Sequence, residues 1–154
     1  MVFALILHLA GMVMWMGGGF SSMVIGIKSR SEERVTQGAA TRLQAHVHRI
    51  LIAPGALLTV ASGVYLSVLA MNTGTPPSAW LMVMQGAGVL AALLVLFVTV
   101  PTSFRLSRVN PVGEGAAAFD ALRRRIATAG TIAGTLAVLA LVAGVLGRFG
   151  IARP

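Results

Sequence analysis

The stretch ILIAPGALLTVASGVYLSVLAMNTGTPPSAWLMVMQGAGVLAALLVLFVTVPTSF, Ile50–Phe104, decides the fold. It holds fifty-five residues without a single Lys, Arg, Asp or Glu. A helix crosses the bilayer core with about 20 apolar residues, so this run is too long for one crossing. Met71-Asn72-Thr73-Gly74-Thr75-Pro76-Pro77-Ser78 divides it, because Gly and paired Pro do not continue a helix. The reading is two membrane spans, about 45–70 and about 79–104, joined by an uncharged turn.

The same pattern extends outward. No Lys, Arg, Asp or Glu occurs over 1–27 or over 126–147, which adds spans at about 2–27 and 126–147. The expectation is an all-α, four-helix transmembrane bundle forming a single domain over 1–154. Only 10% of the residues are charged, against about 25% in a soluble domain, so little of the surface is made for water. The first span does not read as a signal peptide. No basic segment precedes it, it is too long for an h-region, and the charges follow it.

Cysteine is absent, which excludes thiolate metal sites, disulfides, iron–sulfur clusters and cysteine nucleophiles. The four acidic residues lie near loops. That argues against a carboxylate-paired hydrolase and against a pump with acids at mid-membrane. The net charge of +8 reads as topology rather than nucleic-acid binding. Ten of the twelve basic residues fall in two stretches, Lys28, Arg30, Arg34, Arg42 and Arg49, then Arg105, Arg108, Arg123, Arg124 and Arg125. Arg148 and Arg153 remain at the C-terminus. The positive-inside rule then places both termini and the Pro-Pro turn outside the cytoplasm. The expectation is a multi-pass protein of the bacterial cytoplasmic (inner) membrane, in contact with lipid and not with nucleic acid. Gly18, Ser22 and Gly26 in span one, and Gly130 and Gly134 in span four, have the four-residue spacing that lets membrane helices approach closely.

An ionisable residue inside a membrane is a functional candidate because it is costly there. His8 is the clear case, ~10 Å below the outer end of its span at 1.5 Å per residue. Neutral imidazole is a common ligand of haem iron, and a hydrogen bond to a neighbouring helix is the competing role. His46 and His48, two apart, point about 200° from one another on a helix, so they do not chelate one metal together. They read as interfacial residues of a basic turn. Met84, in the opening turns of span three, lies at almost the depth of His8. A His8/Met84 axial pair would resemble the His/Met ligation of some cytochromes, with packing as the plain role for Met84. Met82 is a weaker alternative. Trp15 is deep for an interfacial anchor. The Gly17-Gly18-Gly19 run makes a flat face on which a helix or a porphyrin could lie.

These residues carry a resemblance. His8-x6-Trp15-x-Gly17 is similar to the His…Trp-x-Gly pattern that opens the small HemJ-type protoporphyrinogen oxidases, and it resembles the membrane domain of copper-resistance protein D. The segment Arg49–Thr59 with Gly63 resembles their second helix, where Pro is followed by Leu-Thr and then Gly. Nearly the whole chain resembles an uncharacterised family of bacterial four-helix membrane proteins, through the Pro101 and Arg105 end of span three and the Arg123-Arg124-Arg125 lead-in. The resemblance implies a haem b held by the first-helix His, which is His8, with Trp15, Gly17 and Gly18 beside it. The oxidases carry a Lys after Trp-Leu-x-x in the third helix. Here Trp80-Leu81-Met82-Val83-Met84 places Met84 there, which weakens porphyrinogen oxidation as the activity.

The leading expectation is a haem-b membrane redox or electron-transfer protein with His8 and Met84 as candidate iron ligands. The alternative is a non-catalytic accessory subunit that packs in a larger membrane complex, or in a homo-oligomer, through its small-residue faces. A copper-related role is weaker, since Met12, Met14, Met16 and Met23 do not form one stripe. An ion or metabolite carrier has no broken-helix repeat or buried charge pair in its favour.

Overall fold

The computed structural model describes residues 1–72 and 78–149, without the side chains of 148 and 149. The Pro76-Pro77 break and the Arg153 end lie outside the described residues. The elements are α1 (Val2–Lys28), α2 (Arg34–Val47), α3 (Ala53–Met71), α4 (Ala79–Leu94), α5 (Val100–Leu106) and α6 (Ala116–Phe149). Turns of π-helix, His48–Ile52 and Val95–Thr99, join α2 to α3 and α4 to α5 without a break. The result is four rods long and apolar enough to cross a membrane: Val2–Ser31, Arg34–Met71, Ala79–Leu106 and Gly113–Gly147. The fold is the all-α four-helix membrane bundle that the charge pattern implied. Val13 and Phe97, each 73% exposed, make physical sense only against lipid.

The rods outrun the expected spans. The second has 38 residues, ~57 Å at 1.5 Å per residue, about twice the hydrocarbon thickness. Much of the basic stretch between the first two spans is therefore helix α2 rather than loop. Its charged residues extend the rod past its apolar segment.

The two π turns share a cause. Pro54 and Pro101 stand two residues beyond Ile52 and Thr99. A proline inside a helix has no N–H to donate, and its ring crowds the carbonyl four residues back. A locally widened turn absorbs both problems without breaking the rod.

Packing concentrates in two antiparallel pairs, α1 with α3 and α4 with α6. The tightest crossing is at Gly11 and Gly55. A Cβ on Gly55 would lie 2.6 Å from the Trp15 backbone nitrogen and 2.8 Å from the Gly11 carbonyl oxygen. Where both pairs meet, Trp15, Ile52, Ala56, Ala91, Val95 and Ala133 form the central layer. Polar side chains fasten neighbours together inside this apolar frame. Gln85 Nε2 donates to Ser67 Oγ at 2.7 Å, linking α4 to α3, and Gln44 Nε2 donates to the Ser22 carbonyl at 2.7 Å, linking α2 to α1.

Candidate functional site

Helices α1 and α6 touch only sparsely, and between them lies a cleft of about 1020 Å³. Its floor is built by the two π turns, through His48, Ile52, Val95 and Thr99. Along the first rod it runs from Trp15 to Arg30, and along α6 from Asp120 to Val138. Fifteen residues of the first rod correspond to ~22 Å of helix, so the cleft reaches from the central layer to the basic end of the bundle. Small residues dominate its α6 wall, whereas Met16, Phe20, Met23 and Ile27 line much of its α1 wall. Gly130 and Gly134 have nothing within 4 Å of where a Cβ would stand, and Gly19 and Gly26 border the cleft on the α1 side.

His48 is the imidazole at this cleft, and it is only 2% exposed. Its Nδ1 donates to the Gln44 carbonyl one turn earlier, at 2.7 Å. That bond fixes the tautomer and leaves Nε2 as the basic nitrogen. Gln44 is itself anchored to α1 through the Ser22 carbonyl. The π turn begins at His48, so ring, turn and neighbouring helix are tied together. His46 behaves differently. It is exposed, and its Nδ1 bonds the Arg42 carbonyl at 3.0 Å.

At the basic end the cleft is rimmed by Arg30, Arg123 and Arg124, with Asp120 as the acidic group facing them. The Asp120 carboxylate is already engaged. Arg34 donates to both of its oxygens, at 2.6 and 3.0 Å. The hydrogen bond from Arg34 and the charges of Arg34, Arg123 and Arg124 hold the Asp120 carboxyl below its usual range. Arg123 donates to Gln37 Oε1 and lies over the fully buried Phe119 ring, 5.8 Å from its centre. Burial is the main influence on Arg123, and it lowers the guanidinium's affinity for its proton. The rim thus presents three guanidinium groups against one carboxylate that has its own partner.

The residues singled out from sequence fall in different places. His8 is half-buried on the α1/α3 interface, where its Nδ1 lies 2.9 Å from the Thr59 carbonyl and 3.2 Å from Ser62 Oγ. Its ring packs where Gly63 has no side chain, with Cε1 3.1 Å from a Cβ built there. Met84 belongs to the other helix pair. Its sulfur sits 2.8 Å from where Gly144 of α6 would carry a Cβ. His8 and Met84 thus pack against different neighbours, Gly63 of α3 and Gly144 of α6. Trp15 is buried in the central layer and borders the cleft. Gly18 packs on the first π turn, its hypothetical Cβ 2.8 Å from Ile52 Cγ1, whereas Gly17 has nothing within 4 Å. Adjacent glycines on a helix face different directions, so the run is not one flat face.

His48 is the site residue that the sequence reading passed over as interfacial. A signal for it existed. Thr41, Ala45, His48, Ile52 and Ala56 are spaced by three and four and are all buried, so His48 lies on the inward stripe of its rod. The rim was harder to foresee. Arg34–Asp120 and Gln37–Arg123 each join residues 86 apart in sequence, and only the return of α6 beside α2 brings them together.

Among curated proteins and among solved structures, no match was found. A family model does match, over residues 3–153, and with it come the four apolar rods already described. The chain belongs to the family described as "Predicted integral membrane protein (DUF2269)".

Proposed function

We propose that the protein is a haem-b redox protein of the bacterial cytoplasmic membrane, with the prosthetic group in the α1/α6 cleft and both termini outside. The observation that carries this reading is the cleft itself, large, mostly apolar, with small residues along its α6 wall, and basic at one end. A porphyrin is a broad apolar plate with two carboxylates on one edge. The about 1020 Å³ of space, the open faces at Gly130 and Gly134 and the Arg30, Arg123 and Arg124 rim suit each of those features. These residues fit the group.

When bound, haem b would supply a one-electron couple between ferric and ferrous iron. The chain's own contribution is to bind and orient. Trp15, Ile52 and Val95 give the cleft an apolar inner end, which keeps water from the plate. The guanidinium rim meets the acidic edge where the bundle turns basic. The orientation rests on the same charges, since the basic end carries ten of the twelve Lys and Arg residues. Protein expressed with ample haem and purified in detergent is expected to show a Soret band and reducible α and β bands. A colourless preparation would overturn the reading.

One observation favours a second reading, that of an accessory subunit in a larger membrane complex. Gly130 and Gly134 form an i, i+4 small-residue face with nothing within 4 Å of a built Cβ among the described residues, and such a face also accepts a partner helix. Gentle extraction from native membranes separates the two. A partner subunit that co-purifies and crosslinks to position 134 supports the complex, and a chain recovered alone with haem counts against it.

A further inference from the structure

We infer that His48, and not the first-helix His8, is the side chain that ligates the iron, with Arg30, Arg123 and Arg124 receiving the propionate carboxylates. The inference rests on the haem reading above and deepens it by naming the residues of the site.

Three observations carry it. First, of the two buried or half-buried imidazoles, only His48 borders a space large enough for the ring system. His8 is held between α1 and α3, with its ring against Gly63. Second, His48 lines the cleft with one ring nitrogen already hydrogen-bonded, as an iron-ligating imidazole commonly is. Nδ1–H is committed to the Gln44 carbonyl at 2.7 Å, and a hydrogen bond at one ring nitrogen raises the basicity of the other and fixes its direction. Gln44 in turn is pinned to Ser22, so the ligand stands on a braced turn rather than a free helix face. Third, the cationic rim is at a compatible reach. Ser22, which bonds Gln44 one turn from His48, is eight residues before Arg30, or ~12 Å along the first rod. The acidic group facing the rim, Asp120, has its hydrogen bonds from Arg34, and among the rim arginines Arg123 bonds the neutral Gln37 rather than a carboxylate, so the rim keeps a net positive charge for another anion.

The test combines variants with a modified ligand. The proteins are wild type, His8→Ala, His48→Ala and His48→Met, each expressed with haem and examined by optical and resonance Raman spectroscopy. His48→Ala is expected to lower haem occupancy by roughly tenfold or more, with added imidazole restoring the wild-type spectrum. His48→Met is expected to keep haem with a changed axial signature and a raised midpoint potential, which a merely structural histidine would not produce. His8→Ala is expected to keep the wild-type spectrum. Loss of the spectrum in His8→Ala, with wild-type signatures in both His48 variants, overturns the inference while leaving the haem reading intact. A haem-free wild type overturns the reading itself. For the rim, apoprotein is titrated with haem b and with its dimethyl ester, which lacks the two negative charges. The free acid is expected to bind about tenfold tighter or more, with the difference reduced in Arg123→Gln. Equal affinity for acid and ester removes the arginines from the site.

Discussion

An alanine methyl at position 55 would stand 2.6 Å from the Trp15 backbone nitrogen, and one at position 134 would touch nothing within 4 Å. Both residues are glycines in membrane helices, yet the fold needs only the first. Gly55→Ala forces α1 and α3 apart and is expected to cost about 1–3 kcal/mol, as overpacking does. Gly134→Ala is expected to leave unfolding in mixed micelles unchanged. If the two variants unfold alike, the Gly11/Gly55 crossing is not where the pair is fixed. His8 illustrates the same residue-level logic. Its bond to the Thr59 carbonyl is an interhelical polar contact in an apolar setting, and such contacts average about 0.6 kcal/mol in membrane proteins. His8→Ala should therefore lower stability by about 1 kcal/mol, with the lost ring packing included. The sequence marked His8 as costly and therefore meaningful, but the position of its partner on α3 was not readable from span one alone.

Among the elements, the rods were legible and their joints were not. Uninterrupted apolar runs with charges only at their ends fix four spans, because bilayer thickness sets a length that sequence can be counted against. The π turns were not foreseen. Pro54 and Pro101 announce a disturbance, but a proline does not by itself say whether a helix breaks, bends or widens. The basic stretch also proved to be partly the helix α2, docked to α6 by the Arg34–Asp120 pair. Being solvent-exposed, that pair contributes little stability and acts as a local tether. Because the folded carboxyl is held below its usual pKa, the tether is fully present above the ordinary carboxylate range. It is lost as pH falls through the lower folded value. Amide protection factors in the first turns of α2, corrected for the intrinsic exchange rate at each pH, are expected to fall as wild type is acidified through that window. Asp120→Asn should show the lower protection already at neutral pH and no such titration. Identical profiles for the two proteins would contradict the tether.

For the whole molecule, charge and packing answer different questions. Ten of twelve basic residues at one end are the basis of the proposed orientation, and the division into α1/α3 and α4/α6 pairs leaves the cleft. The first was visible in the sequence by simple placement. The second depends on which helices choose one another, which no single span records. The candidate site was therefore read in part. Trp15 was correctly singled out as deep, whereas His48 and the arginine rim emerged only from the packing. Since the chain has no cysteine, single introduced thiols test the orientation cleanly. In intact cells Ser78→Cys is expected to react with a membrane-impermeant maleimide, and Ser31→Cys only after permeabilisation. The reverse pattern would invert the bundle in the membrane.

The central claim, that the α1/α6 cleft holds haem b, is tested most directly by one optical spectrum. Protein produced with excess haem and purified in mild detergent is expected to carry a Soret band near one haem per chain, with α and β bands that sharpen on reduction by dithionite. A well-folded, monodisperse preparation that binds no haem under those conditions would contradict it.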